Sequence, residues 1–309
     1  MGIRAFVGPS GGGVEGGSTR GIGTSSGALT IVNALPTGIG CAHAISLPVR
    51  AEVELRPNAE LGTHRVQIEH AADTELVRET LAVALTHFAP GQMFQGELRI
   101  DSQVPRGKGL KSSSAVGGAV LRAVASALRQ SRSPEELARL AADVAQEIGL
   151  SATGAYDDCL AALRGGLVLT DNSKRTVLRS PPFTPGLGVV LWVPSEIHVP
   201  SVSFRERFQA EAGAGRAAVE SARAGHWAEA MTLNTELVER IMGYDYRALR
   251  SELMAHGAAM CGVSGMGPAL AALATAEHVD SVASRLPADR GEIRRLELRP
   301  RDGGSTEYE

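Results

Sequence analysis

Pro105-Arg-Gly-Lys-Gly-Leu-Lys-Ser-Ser-Ser-Ala115 is the segment of this 309-residue chain on which the reading of the fold turns. Its glycines let the backbone approach a ligand closely and take conformations closed to other residues. Its serines stand where a helix is expected, because the run Ala115–Leu128 that follows is apolar and rich in small residues. A helix N-terminus carries free backbone N–H groups and the positive end of the helix dipole, and both attract anions. Lys108 and Lys111 add two ammonium groups. Together these features read as a phosphate cradle, with a serine-capped flexible loop as the plainer alternative. The segment is not a Walker A loop, because the Gly107-Lys108 pair is followed by Gly109 rather than Ser or Thr. A dinucleotide fingerprint can be matched at Gly11–Gly16, but no buried strand precedes it.

Outward from the cradle, alternation and periodicity divide the chain. Residues 1–27 are Gly/Ser-rich and read as a mostly mobile leader, with one short strand at Ile3–Val7. Regular structure is expected from Ala28 onward. Strand signals run over Ala28–Leu35, Ala42–Leu55, Thr63–His70 and Phe94–Ile100. Asp73 is placed to cap a helix reaching Phe88, and Ser133-Pro-Glu-Glu136 is a capping box with Pro at the first helical position. Ser151–Asp158 reads as a loop, followed by strands at Gly166–Thr170, Thr176–Leu178 and Leu187–Val193. Past a linker at Ser180–Gly186, helices are expected over Ser203–Ala222, Trp227–Met242 and Tyr246–His256. Strands Ala258–Ser264 and Pro268–Thr275, a helix over Glu277–Leu286 and a strand at Glu292–Leu298 complete the chain. Helices and strands mix without strict alternation, so the class is α+β.

Composition bounds the function. Hydrophobic residues are 43% and charged residues 21%, as in a soluble globular chain. A net charge of −3 does not advertise a nucleic-acid surface. No stretch is apolar enough to span a bilayer and no signal peptide is evident, so neither membrane nor secretion is expected. Cys41, Cys159 and Cys261 are scattered singles, which fits neither a disulfide framework nor metal-ligand spacing and makes the cytoplasm the natural compartment. Of the 31 basic residues only Lys108, Lys111 and Lys174 are lysine, so two of the three fall inside the cradle.

Two further segments could carry chemistry. Glu147, at the edge of the apolar stripe of the capped helix, can face a cleft, and Asp157 and Asp158 end the loop that follows. Three carboxylates near a phosphate cradle suit Mg²⁺ ligation and proton removal from a hydroxyl. Gly262-Val-Ser-Gly-Met-Gly-Pro268 lies between two apolar strands and reads either as a hairpin turn or as a second glycine wall against a ligand.

In this order the three segments resemble the GHMP kinases, which include galactokinase and the homoserine, mevalonate and phosphomevalonate kinases. The family's loop pattern is Pro-x-x-x-Gly-Leu-x-Ser-Ser-[Ala/Ser]-[Ala/Ser], and Pro105–Ala115 fits it at every fixed position. The closer likeness is to the archaeal-type shikimate kinases, whose loop reads GLKSSSA as Gly109–Ala115 does. Ala28–Gly40, Thr153–Asp158 with Thr170-Asp-Asn172, Leu237–Asp245 and Gly262–Ala269 are also similar to that branch. The resemblance implies a GHMP kinase fold: a ribosomal-protein-S5-like N-terminal domain over 28–182 and a ferredoxin-like C-terminal domain over 183–309.

The resemblance also implies ATP and Mg²⁺ as cofactors and a small cyclic polyol as substrate, and it allows a homodimer. Pro105, Gly107, Lys108, Gly109, Leu110, Lys111, Ser112, Ser113, Ser114 and Ala115 would hold the nucleotide, with Ser113 and Glu147 on the metal. Lys111 and either Asp158 or Asp157 would be catalytic; spacing from Glu147 favours Asp158, and counting from the preceding glycine serves Asp157 as well. Asn33, Thr37, Gly38, Gly40, Ser264, Gly265 and Gly267 would face the acceptor, and Arg205 and Arg207 could anchor a carboxylate. The sequence departs from the shikimate branch at Thr37-Gly-Ile-Gly40 and Ala44-Ile-Ser-Leu47, where two charged positions are neutral. Three functions therefore stand: a kinase making shikimate 3-phosphate, a kinase of a neutral valienol-type cyclitol, and an inactive GHMP-fold binding protein.

Overall fold

A computed structural model describes residues 17–72, 74–182, 186–195 and 203–302. Its first sheet is organised around a long antiparallel hairpin, β1 (Thr19–Val32) with β2 (Ile39–Pro57). β2 alternates buried and exposed residues along its second half, as one buried face requires. Its far edge pairs with β4 (Phe94–Ser102), which carries the short parallel β3 (Arg65–Ile68). The start of β2 pairs with β5 (Leu167–Asp171), and β5 with β6 (Thr176–Arg179).

Four helices, α1 (Glu75–Phe88), α2 (Ser112–Ala127), α3 (Pro134–Glu147) and α4 (Tyr156–Arg164), accompany this sheet. The capping box of α3 is formed: the Ser133 hydroxyl accepts the Glu136 N–H at 3.2 Å, and the Glu136 carboxylate accepts the Ser133 N–H at 2.9 Å. Such a cap stabilises a helix by about 1 kcal/mol. α1 is capped by Thr74, whose hydroxyl accepts the Val77 N–H; the expected cap Asp73 lies outside the described residues.

The second sheet has the order β10–β7–β9–β8, antiparallel throughout, from β7 (Leu187–Pro194), β8 (Ala258–Val263), β9 (Leu270–Thr275) and β10 (Gly291–Glu297). Helices α5 (Ser203–Ala210), α6 (Ala212–Ala224), α7 (Trp227–Met242) and α8 (Arg247–Ala255) separate β7 from β8, and α9 (Val279–Ala283) separates β9 from β10. This is the ferredoxin-like order that the sequence led us to expect. The expected linker falls partly on residues 183–185, outside the described residues. The two halves share one hydrophobic core, which joins Leu29, Val120 and Leu163 to Leu191, Met231 and Leu273. Among the described residues no helix is long and apolar enough to cross a membrane.

Two expectations need correction. Residues 19–27, assigned to a mobile leader, form the first half of β1. Their glycines reflect contact rather than mobility: a Cβ on Gly21 would lie 2.1 Å from the Ala123 carbonyl oxygen, and one on Gly23 2.1 Å from that of Ala119. The strand can lie this close to α2 only where it has no side chains. The strand expected at Ile3–Val7 lies outside the described residues. The second correction concerns Asp157 and Asp158, which do not end a loop before a strand but occupy the first turn of α4. Every residue of α4 is buried, its two aspartates included, so its polar residues do not mark a solvent face.

Candidate active site

The cradle forms as the sequence suggests. Gly107 and Gly109 take φ of +68° and +79°, and Lys111, at the N-cap of α2, takes +65°. A non-glycine residue in this region costs about 1–2 kcal/mol. Ala155, the N-cap of α4, is also left-handed at φ +51°. Two helices thus begin on strained residues and aim their first turns at one cleft, and neither helix start is capped by the side chain of its N-cap residue. The N-terminus of α2 keeps its first N–H groups free of a side-chain cap, which is what an anion needs.

The cleft has a volume of about 650 Å³. It gathers Asn33, Pro105, Gly107, Gly109, Leu110, Lys111, Ser112, Ser113, Ser114, Asp157, Asp158 and Gly265 from the residues expected at the site. The Lys111 ammonium lies 3.0 Å from Asp158 Oδ2, with both side chains largely buried. Asp158 Oδ1 is buried and has no hydrogen-bond partner. Burial, reinforced by the neighbouring charge of Asp157 and opposed by Lys111, pushes the Asp158 carboxyl up to about 7.

Asp157 is held differently. Its Oδ1 accepts the Asn172 side-chain amide at 2.8 Å, and its backbone N–H donates to Asn172 Oδ1 at 3.1 Å. Burial raises its pKa too, against the pull of Lys111 and Asn172. Asn172 is itself fully buried and fixed by Thr170, Thr153 and the Gly38 carbonyl. Gly40 is needed here for space, because a Cβ would lie 2.2 Å from Asp157 Oδ2. Asn172 entered the sequence reading only as part of Thr170-Asp-Asn172. Its junction with Asp157 depends on β5 running back beside β2, which local pattern does not show.

Several expected site residues lie elsewhere. Lys108 turns away from the cleft and donates to the Pro194 carbonyl at 2.6 Å. Ala115 is fully buried under the helix start. Thr37 and Gly38 form the turn before β2, where the Thr37 hydroxyl accepts the Ile39 N–H, and neither lines the cleft. Ser264 is fully buried; its hydroxyl donates to the Gly109 carbonyl at 2.8 Å and accepts the Thr30 N–H at 3.1 Å. Gly267 backs onto the Tyr244 ring, which leaves no room for a Cβ. These residues support the cradle from behind rather than face an acceptor. Glu147, expected on the metal, is the last residue of α3, exposed one turn beyond the exposed Asp143, and it does not line the cleft. Glu147 thus adds nothing to the lining of the cleft that holds Ser113. Among the described residues no group of three or more His, Cys, Asp or Glu side chains is gathered to hold a metal ion. All three cysteines are buried and unpaired.

A second cavity of about 620 Å³ adjoins the first and shares Gly107, Ser112, Ser113 and Leu150 with it. Its walls combine the aliphatic Leu76, Val77, Ile100, Val104, Val116 and Ile148 with the charged Glu75, Asp101 and Arg106. The serine-lined start of α2 thus stands between two cavities, of which the first carries the aspartate pair.

Residues 75–166 match the family model described as the GHMP kinases N terminal domain, and residues 216–292 match that of the GHMP kinases C terminal. The chain belongs to the GHMP kinases. Among curated relatives, this GHMP kinase is 34% identical to the shikimate kinase of Pyrococcus abyssi over 82% of this chain and 92% of that protein. It is 31% identical to the shikimate kinase of Methanosarcina mazei over 91% of this chain and 94% of that one. Among solved structures, the mevalonate kinase of Methanococcus jannaschii aligns with a TM-score of 0.69 at 14% identity, covering 90% of this chain and 98% of that one. The homoserine kinase of Cytophaga hutchinsonii gives 0.66 at 19% identity, covering 92% and 96%. This kinase is thus a phosphotransferase with the family's two-part fold.

Proposed function

We propose that this kinase phosphorylates a hydroxyl of shikimate to give shikimate 3-phosphate, with ATP as donor. The observation that carries the proposal is the open Oδ1 of Asp158, buried in the cleft beside Lys111 and the start of α2. It is a proton acceptor with no other use in the fold. The shikimate kinases among the relatives, together with Arg205 at the cleft wall, favour an acceptor that carries a carboxylate. Arg205 is exposed and has no ion-pair partner among the described residues.

Bound ATP supplies the phosphoryl group, and Mg²⁺ would offset its charge. The aliphatic patch of the second cavity suits a flat nucleoside base, and the first, which holds Asp157, Asp158 and Lys111, suits a polyol. Gly107, Gly109 and the first turn of α2 hold the phosphates between them by backbone N–H groups. Asp158 takes the proton of the acceptor hydroxyl as its oxygen bonds to the terminal phosphorus and the bond to the bridging oxygen breaks, releasing ADP. Lys111 balances the negative charge spread over the moving group. Phosphoryl transfer asks the protein mainly for positioning and electrostatic stabilisation, and these residues provide both.

The test is ADP release with a panel of acceptors, using wild type and Asp158→Asn. Turnover of shikimate by wild type, lost in the variant, supports the proposal. Turnover of neutral cyclitols alone makes the enzyme a cyclitol kinase. ATP binding with no turnover of any acceptor makes it a binding protein.

A further inference from the structure

Asp157 and Asp158 are consecutive buried carboxylates, yet among the described residues Lys111 is the one cation that touches them. Lys111 bonds Asp158, whereas Asp157 is gripped by a neutral amide. Asn172 holds Asp157 at two points, through the side-chain oxygen and the backbone N–H, so Asp157 cannot swing across to share Lys111. Gly40 leaves the other carboxylate oxygen its space, and the amide donor favours the ionised form of Asp157.

From this geometry we infer that Asn172 and Asp157 are positioning residues that set the proton affinity of Asp158, by keeping a fixed negative charge beside it. The inference rests on the reading of Asp158 as proton acceptor. Among the described residues the other charged or titratable groups around the pair are few. Lys111 approaches from α2, the Cys41 thiol lies on β2 near Asp157, and Cys159 follows on α4. Arg205 lines the same cleft from α5, and Arg175 braces the Asn172 and Thr153 carbonyls from beyond the network.

Without the neighbouring charge, Asp158 would ionise more readily and become a weaker base. The carboxylates then separate into roles: Asp158 exchanges the proton, and Asp157 tunes the exchange without touching the acceptor hydroxyl. Removing the Asn172 amide acts in the same direction. Asp157 would then stay protonated to higher pH, and the first proton to leave the pair would come from Asp158.

The experiment is the pH dependence of kcat/KM for phosphorylation by the full chain, in wild type, Asp157→Asn and Asn172→Ala, with thermal melts alongside. The acid limb should move to lower pH by about one unit in Asp157→Asn, and in the same direction by less in Asn172→Ala. A purely structural role would lower turnover and melting temperature and leave the limb in place. An unmoved limb in both variants, with Asp158→Asn inactive, overturns this inference and leaves the proposed function standing. An active Asp158→Asn overturns both. Should Asp157→Asn fail to fold, Asn172→Ala decides, because it keeps both carboxylates.

Discussion

Lys111 Nζ lies 3.0 Å from Asp158 Oδ2, and the same lysine supplies the left-handed backbone on which α2 begins. One residue thus joins the anion-binding helix start to the carboxylate placed to take a proton. Removing its charge should raise the proton affinity of Asp158, because the ammonium is what opposes burial and Asp157 there. Lys111→Met is expected to move the acid limb of the rate profile to higher pH, opposite to Asp157→Asn. Its turnover near pH 7 should fall about 10²- to 10³-fold. Initial rates from pH 5 to 9 check both sign and size.

Arg205 lines the cleft and has no ion-pair partner among the described residues. If it holds the acceptor's carboxylate, Arg205→Gln should raise KM for shikimate about 10- to 100-fold with little change in kcat, as loss of a charged hydrogen bond in binding does. An acceptor lacking the carboxylate should be handled equally by wild type and variant. Steady-state kinetics with both acceptors separate a binding role from a solvated surface charge.

Ser113 and Glu147 were expected to act together, but only Ser113 lies in the cleft. Ser113→Ala should reduce turnover at least about tenfold, as loss of a donor at a charged centre does. Glu147→Ala should stay within about twofold of wild type, as surface substitutions do. Titration of magnesium in both variants is the check: a large rise in the magnesium requirement of Glu147→Ala would return that residue to the metal site.

Gly23 lies against the backbone of α2, with the nearest atom 2.1 Å from where a Cβ would stand. Gly23→Ala should force β1 and α2 apart at a cost of about 3 kcal/mol. Gly62→Ala, with nothing within 4 Å, serves as a control that should be nearly silent. Denaturant melts of the two variants measure the difference.

Much of this architecture was legible because it is local. The capping box of α3, the alternation of β2 and the glycine–serine start of α2 each carry their cause within a few residues. The rest depended on distant partners. α4 escaped notice because it is short and buried on all sides, so its polar residues do not mark a solvent face. The glycines of β1 resembled a flexible leader because their reason, the helix lying on them, is nearly a hundred residues away in sequence. Lys108 looked like a phosphate ligand until the end of β7 was seen to offer it a carbonyl. Two adjacent aspartates could not be told apart by spacing, and Asn172, just past the end of β5, bonds Asp157 and not Asp158.

The Ser264 hydroxyl bonds both the Thr30 N–H and the Gly109 carbonyl, while the Gly265 N–H bonds the Thr30 hydroxyl. A residue of the C-terminal half is therefore the mould in which the N-terminal half's loop sets. The kinase cannot be read as a nucleotide module with an interchangeable acceptor module attached. Exchanging C-terminal halves between relatives to alter substrate choice would also reshape the grip on phosphate. An isolated N-terminal half would carry the loop's sequence without its form.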